Sequence, residues 1–154
     1  MSSFGTALTA IEAWPLSDAI RRSLWAYPAL ETIHIASFAV VFGSLLVLEL
    51  RVFGAVPTIP LSPLARLAVP VALTAFSIAA TAGLLMLISN ASELVLNTAF
   101  QIKVALIMLA GVNAWWFHRR DSLVLHDGVA KAQSLLSIML WVGVIACGRL
   151  IAYV

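Results

Sequence analysis

Four apolar stretches, each about 20 residues long and so able to cross the roughly 30 Å hydrocarbon core of a bilayer as a helix, make up most of the chain. The first runs from about Tyr27 to Leu48, the second from about Leu67 to Ile88, the third from about Thr98 to Phe117 and the fourth from about Ala132 to Tyr153. With 154 residues, 62% of them hydrophobic and 10% charged, the chain has too little interior to hide its apolar side chains from water. A soluble domain is about 45–50% apolar and about 25% charged. The sequence therefore predicts an all-α fold: an integral membrane four-helix bundle in one domain, surrounded by lipid.

Ahead of the first span, residues 4–23 carry Phe4, Leu8, Ile11 and Trp14 at helical spacing, with Glu12, Asp18, Arg21 and Arg22 between and after them. Pro15 breaks this stretch into two short pieces. It reads as an interfacial helical segment, with Trp14 and Trp25 at the headgroup level. The charged residues and the lack of a basic-then-apolar order argue against a cleavable signal, which leaves the first span as the insertion signal. Pro57, Pro60 and Pro63 predict an extended turn between spans one and two. The second link is short and polar, and the third, His118 to Lys131, carries Arg119, Arg120, Asp121, His126 and Asp127. The side holding the first and third links has five basic residues (Arg51, Arg66, Arg119, Arg120, Lys131) against two (Arg21, Arg22) on the other. The positive-inside rule then places both termini outside.

An ionisable group inside a span is costly and usually faces the bundle interior with a partner. Glu31 and His34 in span one, Lys103 in span three and Arg149 in span four are such groups. At about 1.5 Å rise per residue they lie about 6, 10, 8 and 6 Å from the outer ends of their spans, in a single layer. Glu31 and His34 are three residues apart and share a helix face. In one reading the layer is an ion-paired plug, with Glu31 bonded to Lys103 or Arg149 and the long cations snorkelling outward. In the other it is a functional site, because two cations and one carboxylate leave a positive excess suited to a haem propionate, a quinone oxygen or a carboxylate. His34 is the candidate metal ligand. His118 and His126 lie at the opposite surface, and Met86 is at a depth similar to that of His34. Asn113, near mid-span, needs buried partners and suits a link between helices.

The net charge of +2 and the lack of a basic run interleaved with aromatics argue against nucleic acid. Cys147, the single cysteine, sits in an apolar run as a buried thiol. No phosphate-binding glycine loop or zinc spacing is present. The middle of each span holds no Asp or Glu, which argues against a pump with a carboxylate relay.

The run Tyr27-Pro28-Ala29-Leu30-Glu31-Thr32-Ile33-His34, followed by Gly43 and by Leu50-Arg51-Val52-Phe53-Gly54, resembles a family of small bacterial four-helix membrane proteins of unassigned function. Asn97 to Lys103, Asn113 to His118, and Ser134 through Trp141 to Gly148-Arg149 extend the resemblance to spans three and four. More distantly, His34, Gly43 and Lys103 are similar to a pattern in the haem-binding bacterial protoporphyrinogen oxidase and in copper-resistance membrane proteins. That resemblance implies a bacterial inner membrane and a haem b site with His34 as axial ligand. The spans hold no second histidine at that depth, so the other ligand would be Met86, Lys103, a residue of another copy, or none.

The leading expectation is a haem b-binding redox protein in which Lys103 and Arg149 neutralise propionates or a quinone-like partner and Glu31 orients His34. The alternatives are a small transporter or copper-handling protein using His34 and Met86, and an anchor for a soluble redox subunit. A homo-oligomer is compatible with the polar interior, and nothing in the sequence fixes its number or decides whether the chain is an enzyme.

Overall fold

The N-terminal stretch breaks at Pro15. In the computed structural model, which describes residues 3–125 and 127–153, helix α1 (Ser3–Glu12) ends before it and α2 (Pro15–Arg22) begins on it. Trp14 is extended at the N-cap, and the proline stands at N1, where a missing N–H costs nothing. Trp14 and Trp25 are exposed, as an interfacial placement requires. The side chain of Phe4 and all of His126 lie outside the described residues.

The four spans form α3 (Ala26–Val52), α4 (Leu61–Ser89), α6 (Thr98–Arg119) and α8 (Gly128–Leu150), each long and apolar enough to cross a membrane. Two single-turn helices, α5 (Ala91–Leu94) and α7 (Ser122–Leu125), sit in the second and third links. The result is an all-α four-helix bundle preceded by two short helices, with no strand among the described residues. Its lipid-facing surface is apolar, exposing residues such as Leu67, Leu84, Met108 and Val112.

Three span ends differ from the sequence expectation. Helix α3 continues past Leu48 to Val52, so Glu49 belongs to the helix and is buried at 6% exposure. Helix α4 starts at Leu61: Pro60 is its extended N-cap and Pro63 falls in its first turn, where N–H groups have no helical acceptor anyway. The proline-rich turn is therefore shorter than predicted. It is held by Arg51, which donates from Nε to Ile59 O at 2.6 Å and from a terminal nitrogen to Pro57 O at 3.2 Å. Gly54, at φ 101°, supplies the left-handed residue that ends α3. Helix α8 begins early, at Gly128, because Asp127 caps it by accepting from Ala130 N–H at 2.9 Å while also pairing with Arg120.

Two helix pairs build the bundle. Helix α3 packs along α4, α6 packs along α8, and the pairs meet mainly through α3 and α8. The first pairing is explained by Ala65, Ala68, Ala72, Ala75, Ala79 and Ala82, all buried and alternately three and four residues apart on α4. In lipid, where there is no hydrophobic drive between helices, such a small-residue stripe lets two backbones approach and gain van der Waals contact. Ala79 has no exposed surface at all. Phe38 and Val41 of α3, Ala110 of α6, and Leu140, Trp141 and Val144 of α8 fill the centre.

The N-terminal pieces are fastened to the end of the bundle where α4 meets α5. One oxygen of the Glu12 carboxylate accepts from Ser92 N–H at 2.7 Å and from the Ser92 hydroxyl at 2.6 Å. Arg21 donates to Ser89 O at 3.3 Å and to Glu12 O at 2.6 Å. The Ser92 hydroxyl foremost, then its backbone N–H, holds the Glu12 carboxyl below its ordinary value.

Candidate functional site

Helices α3 and α6 bring His34 and Lys103 together. His34 Nδ1 lies 2.7 Å from the Ala79 carbonyl of α4, and His34 Nε2 lies 3.3 Å from Lys103 Nζ. A carbonyl only accepts, so the ring proton is on Nδ1 and Nε2 carries a free lone pair. The lysine donates to that lone pair. Gly83, one turn beyond Ala79, makes room for the ring: a Cβ there would stand 3.0 Å from His34 Cε1 and 3.3 Å from Nδ1. Gly148 of α8 plays a similar part for the lysine, since a Cβ would lie 3.4 Å from Nζ.

An aromatic column runs inward from this pair. The His34 ring is 5.2 Å from that of Phe38, Phe38 is 5.8 Å from Trp141, and Trp141 is 6.2 Å from Phe76. Lys103 Nζ also stands 5.3 Å over the Phe38 ring, a cation–π contact that partly offsets the loss of water around the amine.

The other members of the predicted layer do not join the pair. Glu31 is exposed and forms no ion pair with Lys103 or Arg149 among the described residues. Arg149 is exposed, donates to the Tyr153 hydroxyl at 2.6 Å and lies over that ring, so it turns away from the pair toward the C-terminal end of α8. Met86 is on α4, one turn past Gly83, and is partly buried. No group of three or more His, Cys, Asp or Glu side chains placed to hold a metal ion occurs among the described residues.

A second polar site lies in the other half of the bundle. Asn113 of α6 donates to Gln133 O of α8 at 3.0 Å, the interhelical link its mid-span position predicts. The Ser122 hydroxyl donates to Gln133 Oε1 at 2.8 Å. Ser137 is the hydrogen-bond partner of the Glu49 carboxyl. Among the described residues, three buried side-chain atoms nonetheless lack partners: Glu49 Oε2, Asn113 Oδ1 and Gln133 Nε2. Each such orphan costs about 1–3 kcal/mol. The three residues line a cavity of about 230 Å³ whose remaining walls are mostly apolar, with Phe76, Phe117 and Trp141 among them.

The arrangement defines a class: an all-α bundle with four helices of membrane-crossing length, a histidine–lysine pair toward one end and a polar-floored cavity toward the other. No protein-family model, curated protein or solved structure matches the chain.

Proposed function

We propose that the chain is a haem b-binding protein of the bacterial inner membrane with an electron-transfer role, and that His34 is an axial ligand. The observation that carries this reading is the 2.7 Å contact between His34 Nδ1 and the Ala79 carbonyl. Metal-ligating histidines commonly anchor one ring nitrogen on an acceptor of this kind, which fixes the tautomer and leaves the other nitrogen for the metal. Bound haem would supply one-electron chemistry. His34 would hold it, and Lys103, together with Arg149 at the outer rim, would balance propionate charge. Lys103 now occupies the face of Nε2, so the lysine must turn aside on its flexible four-carbon stem.

That same 3.3 Å contact favours a second reading. An imidazole lone pair facing an amine suits proton exchange, and the chain would then be a small ion-handling transporter. Absorption spectra separate the two. Detergent-purified protein loaded with haemin is expected to show a Soret band that His34→Ala loses and Lys103→Met keeps. A complete lack of that band under every loading condition sinks the haem reading. Proton flux into proteoliposomes that is abolished by Lys103→Met would then support the second.

A further inference from the structure

We infer that the cavity floored by Glu49, Asn113 and Gln133 is a binding site for a hydroxylated aromatic ring carrying an apolar tail, and that the ring reaches it from the lipid between α4 and α6. The inference is independent of haem at His34.

Size comes first. A cavity of about 150 Å³ is enough for benzene. At about 230 Å³, this one takes a single substituted ring and the first methylenes of a chain. Phe76, Phe117 and Trp141 offer ring edges and faces to an aromatic guest.

Access comes next. Helices α4 and α6 belong to different pairs and are not packed closely against each other. Residues of both line the cavity, including Leu73 and Phe76 on one side and Ile107 and Gly111 on the other. A tail would leave through this gap directly into acyl chains, and a water-soluble ligand has no comparable apolar route.

The head group follows from the orphan atoms. Asn113 Oδ1 accepts, Gln133 Nε2 donates, and Glu49 Oε2 accepts, or donates when it carries the carboxyl proton. A hydroxyl both donates and accepts, so it answers this set, whereas a methyl ether or a bare hydrocarbon does not. The three atoms have almost no accessible surface, so a guest meets them only once they turn into the cavity that their residues line. Their carboxyl and amide ends turn on broad terminal torsions, which lets them swing toward a guest. No cation is paired with Glu49 among the described residues, so nothing there would offset the charge of an anionic head.

The test uses the full chain in lipid nanodiscs and a lipid-soluble carbodiimide, which attacks carboxyl groups from the membrane phase. Modification of Glu49 is followed by peptide mass spectrometry with 4-decylphenol, decylbenzene or 1-decanol present. The expected result is that Glu49 is labelled and that 4-decylphenol slows this about tenfold at about ten times its dissociation constant, as simple occupancy requires. Decylbenzene lacks the hydroxyl and decanol lacks the ring, so both should protect far less. Gly111→Leu supplies a second arm. A Cβ there meets no neighbour within 4 Å and the position is exposed, so the variant should fold, shrink the cavity and lose protection while Glu49 remains labelled. Absence of labelling, equal protection by all three compounds, or protection unchanged in Gly111→Leu would each overturn the proposal. The Soret band of the same samples reports separately on His34.

Discussion

Lys103 Nζ meets His34 Nε2 at 3.3 Å across 69 residues of chain, and it does so on the one ring nitrogen that the Ala79 carbonyl leaves free. The pair therefore depends on three helices at once. Helix α3 carries the ring, α4 orients it, and α6 delivers the amine. A change on α4 that never touches Lys103 should still disturb the pair.

Gly83→Ala is that change. Its Cβ would sit 3.0 Å from His34 Cε1, tighter than nine in ten real Cβ contacts, so the ring must give by a few tenths of an ångström and its bond to Ala79 is strained. Overpacking of this kind costs about 1–3 kcal/mol. The expected outcome is a protein that folds with a lowered thermal midpoint, and in which the imidazole nitrogen resonances of His34 lose the single-tautomer pattern. An unchanged NMR signature would show that the Ala79 contact does not fix the ring.

The alanine stripe makes a second prediction. Ala79→Leu forces α3 and α4 apart at a position with no free surface, and it should cost at least the same 1–3 kcal/mol or so. Leu84→Ala, on the lipid-facing side at 60% exposure, should stay within about 0.5 kcal/mol. Denaturant titration in mixed micelles measures both. Equal losses would mean that the stripe is not the contact that holds the two helices.

The Glu12–Ser92 clasp gives a pH dependence with a defined sign. The folded carboxyl titrates below its ordinary value, chiefly because Ser92 donates two hydrogen bonds to its charged form. A depressed pKa contributes stability that is complete above the ordinary carboxylate range and is lost as the pH falls through the depressed value. Docking of α1 and α2 should thus be firm at neutral pH and loosen only in acid. Hydrogen exchange of α1 amides between pH 7 and a pH below the ordinary carboxylate value, after correction for the intrinsic rate, should show this loosening in the native protein. Glu12→Gln should exchange faster throughout, with its pH dependence flattened.

Much of this structure could be read from the chain because lipid imposes a simple rule: a span must be long and apolar. That rule located four helices, and it made His34 and Lys103 conspicuous as ionisable groups at matched depths. It also misplaced their ends. Apolarity stops at Leu48, yet backbone hydrogen bonding carries α3 on to Val52, and Glu49 is buried by packing that hydropathy does not register. Pro63 looks like a breaker, yet it is harmless in a first turn. The Ala79 carbonyl leaves no trace in residue type, although Gly83 marks where the ring needs space. The alternating spacing from Ala65 to Ala82 was there to be read as a helix-contact stripe. Glu31 and Arg149 matched His34 in depth, but depth along an axis says nothing about which way a side chain faces. Both turn outward in the bundle.

The division of the bundle into an α3–α4 pair and an α6–α8 pair bears on how the protein is made. Each pair is a hairpin of neighbours in sequence, already complementary along its length, and the two hairpins share one narrow seam. The ribosome therefore delivers two self-contained units in succession, and the second has only to find α3 in the plane of the membrane. A cut in the backbone between Leu94 and Thr98 would leave both units whole, so separately expressed halves should recombine into one working protein.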